Sequence, residues 1–202
     1  MSATMDATLS SPPPGTVPAQ AAPLAAAQQK AGLWADDSLQ VYAVVMGSRI
    51  AGLPERLAAA GTGIADWDCL LPGALEPPVQ QRAPYLLRLK ADSAFTDWLL
   101  FEAAASLAEW GVLLRSPARL MPLRNHLRGL LQALLPGGQR IVLDWMDPAI
   151  LRALLPLFDP AELAAFFGPV RSLVLPGADA WRHAELLQGR LAQRDVPLAR
   201  AA

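Results

Sequence analysis

The hydrophobic positions along the chain fall into short runs of two kinds, and the two kinds alternate. Leu39 to Met46 (L-Q-V-Y-A-V-V-M) is almost continuously apolar and partly β-branched. That is the pattern of a strand covered on both faces. Ile64–Leu71, Tyr85–Lys90, Gly111–Leu114, Arg140–Leu143 and Val170–Leu175 read as further strands. Helices are predicted between them. Leu53–Ala60 has Pro54 early and Gly61 just past its end. Asp92-Ser93 caps a long helix through Ala108, with Phe95, Trp98, Leu99, Ala103 and Leu107 on its inner face. Ser116-Pro117 opens a helix in which Leu120, Leu123, Leu127, Leu130 and Leu134 recur at three- and four-residue steps, until Pro136-Gly137-Gly138 stops it. Asp147-Pro148 starts another, with Ile150, Leu151, Leu154 and Leu155 on one side. Asp159-Pro160-Ala161-Glu162 starts the next with a full capping box, and Gly168-Pro169 ends it. Asp179 opens a last helix to about Arg194, with Trp181, Ala184, Leu187 and Leu191 on one face. Glu76 to Pro84, with three prolines, reads as a loop.

This alternation predicts an α/β fold: a single domain with a central mixed sheet flanked by helices and a helical C-terminal part. Residues 1–31 read as an Ala/Pro-rich disordered leader, 32–195 as the folded domain and 196–202 as a frayed tail. No internal repeat is apparent.

Composition narrows the class of protein. The 202 residues are 53% hydrophobic and 17% charged, yet no run reaches the ~18 uncharged apolar residues of a membrane span. The first residues, M-S-A-T-M-D-A, show neither the basic nor the apolar region of a signal peptide. A single cysteine, Cys69, excludes an internal disulfide and a cysteine-based zinc site. The expectation is a cytoplasmic protein without membrane or metal. The net charge of −1 argues against broad nucleic-acid binding, but the charge is polarised. Residues 1–114 hold 6 Lys and Arg against 11 Asp and Glu; residues 115–202 hold 11 against 7. A basic C-terminal face suits an acidic partner segment, or is ordinary surface charge.

Candidate chemistry is sparse. Of the two histidines, His126 lies on the shoulder of the leucine stripe and His183 in the predicted last helix. Neither sits in a recognisable nucleophile–base motif. Met46-Gly47-Ser48-Arg49-Ile50 lacks the glycine spacing of a nucleophile elbow, and Ala60-Gly61-Thr62-Gly63 lacks the third glycine of a dinucleotide loop. An enzyme of unrecognised class could use Asp144, Asp147 and His126 with an arginine, although a helix cap already explains Asp147. No cofactor is expected. Arg119, Arg124 and Arg128 on the central helix, with Arg115 before it, form either a solvated helix face or a docking surface for an acidic or helical partner. Of the six tryptophans, Trp34 and Trp181 at the borders of the fold are the candidate interface anchors.

The order of these motifs resembles the type VI secretion effector adaptor, or effector chaperone, family. The matching residues are Tyr42-Ala43-Val44-Val45-Met46-Gly47, Ala83-Pro84-Tyr85-Leu86-Leu87-Arg88-Leu89, Trp110-Gly111 running to Ser116, His126-Leu127-Arg128, and Trp145-Met146-Asp147-Pro148. The resemblance covers about residues 39–175 and makes Tyr42, Gly47, Pro84, Tyr85, Trp110, Gly111, Ser116, His126, Leu127, Arg128, Asp147 and Pro148 its signature. It departs at Met46, Asp144 and Ala149, where the family carries charged residues. The resemblance implies a protein without catalysis that binds a specific toxin effector and loads it onto the secretion spike protein. Its partners would then be that effector and the spike, not nucleic acid or membrane. Arg119, Arg124, Arg128 and Trp181 are the candidate contacts.

Overall fold

The first strand, β1 (Gln40–Met46), divides the molecule in two. Its alternate side chains point to opposite faces: Val41, Ala43 and Val45 join one core, Tyr42 and Val44 the other. The computed structural model describes residues 21–104, 109–134, 137–177 and 180–197. The helix before β1 is α1 (Ala21–Leu33). After β1 come α2 (Leu53–Ala60), β2 (Asp66–Cys69), α3 (Pro77–Arg82) and β3 (Pro84–Arg88). Next are α4 (Ala94–Asp97), which widens into a π-helical stretch over Trp98–Ala103, and β4 (Gly111–Ser116). Then follow α5 (Leu120–Gly129), β5 (Gln132–Leu134), β6 (Arg140–Val142), α6 (Pro148–Leu154) and α7 (Pro160–Phe167). The chain ends with β7 (Ser172–Leu175), β8 (Ala180–Leu187) and β9 (Arg190–Pro197).

Seven strands form one sheet in the order β2-β3-β1-β4-β7-β8-β9, and β5 and β6 form a separate ribbon. One face of the sheet is covered by α5, α6 and α7 through Leu123, Leu127, Leu151, Leu163, Phe166 and Phe167. The other is covered by α1, α2 and α4 through Leu33, Leu57, Leu99 and Leu100.

The expected mixed sheet is corrected to an antiparallel one: every pairing, from β2–β3 to β8–β9, is antiparallel. Continuous apolar strands normally indicate a parallel sheet because both faces are buried. Here helices cover both faces of an antiparallel sheet, and strand composition carries no mark of direction. Helices α6 and α7 do give the later part of the chain helical content. The helix expected from Asp179 to Arg194 is instead the β8–β9 hairpin, while Asp179 itself lies outside the described residues. The hairpin turns at Gln188 (φ 52°) and Gly189 (φ 75°), a pair of positive angles that fits a tight hairpin turn. Trp181 and Ala184, read as one helical stripe, pack into opposite cores because a strand puts them on opposite faces.

Three further boundaries move. Helix α1 lies within the stretch read as a leader; its Ala-rich sequence favours helix, and buried Leu33 anchors it. Residues 1–20 lie outside the described residues, as do Leu107 and Ala108 of the long predicted helix, Pro136, and the tail from 198. Pro77 and Pro78 start α3 rather than a loop, since the first helical turn needs no proline amide. The leucine-rich helix stops at Gly129, and Gln132–Leu134 pairs with Arg140–Val142 as a ribbon. Helix α5 also begins late, at Leu120, with Arg119 rather than Ser116 at its N-cap position.

The tightest backbone approach is at Gly111, where φ is 156° and a Cβ would collide with the Val44 carbonyl across the β1–β4 pair. Gly111→Ala should therefore lower unfolding stability by at least ~3 kcal/mol. Gly129→Ala, where a Cβ would meet nothing within 4 Å, should raise it by roughly 0.4–1 kcal/mol. Urea unfolding midpoints of the two variants check this, and similar midpoints would contradict it.

Candidate functional site

The residues singled out in the sequence converge on α5 and its surroundings, and most of them act as fasteners. Arg128 reaches across to the turn that follows β2. Its Nε donates to the Leu70 carbonyl (2.9 Å), and its Nη2 donates to the carbonyls of Cys69 (2.9 Å) and Leu71 (3.1 Å). A planar guanidinium, with its donors fixed in one fork, suits three carbonyls in this fan. One turn earlier, Arg124 pairs with Asp68 on β2. Leu127 is buried in the core beneath. His126 faces the other way, and its Nε2–H donates to the Phe166 carbonyl at the end of α7 (2.9 Å). The imidazole lies directly against Gly168, where a Cβ would collide with the ring. Gly168 ends α7 with a positive φ of 46°.

The other signature residues have equally local work. Tyr42 is fully buried, and its hydroxyl donates to the Ala118 carbonyl (2.7 Å). Burial pushes its phenol above the ordinary range. Tyr85 donates to the Gln80 carbonyl (3.0 Å), and burial raises it likewise. Gly47 donates its amide to Ala83 (2.9 Å), and a Cβ there would collide with the Gln81 and Ala83 carbonyls. The Pro84 carbonyl accepts from the Leu70 amide (2.9 Å), and that of buried Trp110 accepts from the Met46 amide (2.9 Å). Ser116, read as a helix cap, instead donates to the Pro169 carbonyl (2.7 Å) and accepts from the Ala118 amide (3.1 Å), tying β4 to the α7–β7 junction.

Asp147 caps α6, accepting from the amides of Ala149 (2.8 Å) and Ile150 (3.4 Å), with Pro148 in the first turn. Its second oxygen pairs with Arg49 (2.9 Å). Arg49 was not singled out in the sequence, because nothing in M-G-S-R-I shows that its loop meets a helix start 98 residues away. Asp144 is exposed, and no hydrogen bond or ion pair among the described residues joins any two of Asp144, Asp147 and His126.

Of the four candidate partner contacts, Arg124 and Arg128 are committed to internal bonds and Trp181 is fully buried. Only Arg119 is exposed and unpaired among the described residues. His183, expected on a helix, is on β8. Its Nε2 is buried with no hydrogen-bond partner among the described residues. Desolvation, then the charges of Arg194 and Arg115, hold its imidazole below the ordinary range. Among the described residues no cluster of metal-ligand residues is found, and no helix is long and apolar enough to cross a membrane.

If Arg128 is a fastener, Arg128→Ala should cost about 2–4 kcal/mol of unfolding stability, since charge-assisted bonds to carbonyls are the stronger kind. Arg128→Lys should recover only part, while Arg119→Ala should stay within ~0.5 kcal/mol. Chemical denaturation of the three variants measures this; equal effects at positions 119 and 128 would contradict the assignment.

Compared with known proteins, residues 41–165 match the model of a family described as a domain of unknown function, DUF4123. No curated protein and no solved structure matches the chain. The matched stretch runs from β1 to α7, covers more than half of the chain and spans every residue of the motifs from Tyr42 to Pro148. On that match, the chain belongs to the DUF4123 family.

Proposed function

We propose that this protein is a non-catalytic adaptor that binds a specific toxin effector and loads it onto the spike protein of a type VI secretion system. The observation that carries the reading is the family: DUF4123 is a domain found in type VI secretion effector adaptors. The ordered motifs from Tyr42 to Pro148 support the same reading from the residues themselves. So does their use in the fold. Tyr42, Ser116, His126, Arg128 and Asp147 hold strands, helices and turns together through hydrogen bonds within the fold. A shared frame with a separate, chain-specific contact surface is what a set of adaptors for different cargoes requires. The site of action would be the cytoplasm, where cargo is loaded before export.

The test is co-expression of the tagged full chain with the toxin and the spike protein encoded beside it. The expected outcome is a complex with the toxin that survives size-exclusion chromatography, and loss of toxin solubility or secretion when the chain is absent. A toxin that is soluble and secreted without this chain, and that does not co-purify with it, would overturn the reading.

A further inference from the structure

Helix α7 packs over one face of the β8–β9 hairpin, where Ala184, Leu186 and Leu191 join its core. The opposite face carries a cleft of about 260 Å³ lined by strand residues alone. Arg115 of β4, Ser172 of β7, His183 and Glu185 of β8, and Arg194 of β9 supply its polar lining. Two of these side chains carry orphaned nitrogens: Arg115 Nε and His183 Nε2 are buried and make no hydrogen bond among the described residues. Leaving a buried donor unpaired costs about 1–3 kcal/mol, so these groups are set for an acceptor that the chain does not provide. Glu185 is the one acid in the lining, and it forms no ion pair within 4 Å with either arginine.

Beside the cleft lies the end of the sheet. β9 has eight residues, and no described strand pairs with its outer side. Its side chains on the cleft face include Arg190, Ala192 and Arg194. An exposed edge of this length is a template for another extended chain. A strand added there would set every second side chain opposite Arg190 and Arg194. A second copy of β9 related by a two-fold axis would bring these same arginines onto one face together, which like-charge repulsion opposes.

We propose that the hairpin takes an extended acidic segment of a partner protein, which adds to the sheet along β9 and places carboxylates against Arg194, Arg115 and His183. Carboxylates match the orphaned donors in charge and in hydrogen-bonding sense, and main-chain pairing explains the free edge. Apart from Arg115, the surface lies beyond residue 165, outside the family-matched stretch, where a chain-specific contact belongs. The adaptor reading enters only in naming the segment's owner as toxin or spike; the chemistry stands without it.

The probe is a seven-residue peptide with glutamate at alternate positions among threonine and valine, titrated into the isotope-labelled full chain and followed by NMR. Saturable shifts in the amides of residues 190–196 are expected, together with a rise in the His183 pKa. That imidazole faces Arg115, Ser172, Glu185 and Arg194, and an added carboxylate opposes the two arginines that hold it low. Arg194→Glu and His183→Gln, each checked for native circular dichroism, should each weaken the peptide, the first at least tenfold. A lysine-for-glutamate peptide should not bind. Absent shifts, equal binding of the lysine peptide or of a short oligonucleotide, or dimerisation through β9 without peptide would each overturn the proposal. The two readings fail separately. Peptide binding without toxin capture removes the adaptor reading alone. Toxin capture that Arg194→Glu leaves unchanged, with no peptide binding, removes this surface alone.

Discussion

Three consecutive residues of α5 fix that helix to three separate parts of the fold. Successive side chains on a helix point about 100° apart. His126, Leu127 and Arg128 thereby reach three different elements: the end of α7, the core on the sheet, and the turn after β2. The Arg128 contact is the least replaceable. The carbonyls of Cys69, Leu70 and Leu71 converge on one guanidinium, and without it they would face a half-buried space with no donor. Arg124, one turn back on the same flank, adds its pair with Asp68, so α5 is fixed to the sheet's β2 edge twice. Around this clamp, Tyr42 and Ser116 fasten the entry to α5, and Asp147 with Arg49 fastens the start of α6 to the loop after β1.

Much of this frame was legible in the sequence where the signal is local. The Asp147-Pro148 and Asp159-x-x-Glu162 starts were readable because a cap is made by residues within one turn. The strand over Leu39–Met46 was readable because burial on both faces leaves almost no polar position. What could not be read was non-local. Strand direction leaves no mark on composition, and Arg128 looks in sequence like any helix-surface arginine. The 180–197 stretch is rich in helix formers, and its Gln188-Gly189 turn is a single weak interruption. Strand pairing with β7 overrode that propensity, and the error moved Trp181 from a supposed surface into the core. With it went the most useful site in the molecule, since His183 and Arg194 face one cleft only when β8 and β9 pair.

The division of labour that emerges is between frame and surface. The residues that carry the resemblance are spent on fastening, and the departures from its pattern lie at its margins. Met46 packs partly into the core, while Asp144 and Ala149 are exposed beside the cap of α6. The polarised charge of the chain takes a structural meaning here. Part of the basic excess after residue 115 is consumed inside by Arg124, Arg128 and Arg152, the last donating to the Pro176 carbonyl (2.7 Å). Part remains on the cleft face of the sheet as Arg115, Arg190 and Arg194. The second group is the one free to meet an acidic partner.

The central claim is that the His126-Leu127-Arg128 signature is scaffold and not a partner surface. Backbone amide exchange of the Arg128→Ala chain, compared with the unaltered chain, tests it without any partner. The account predicts that protection falls together in α5, in the turn after β2 and in the last turn of α7, while the β8–β9 hairpin keeps its own. Unchanged protection throughout would contradict it.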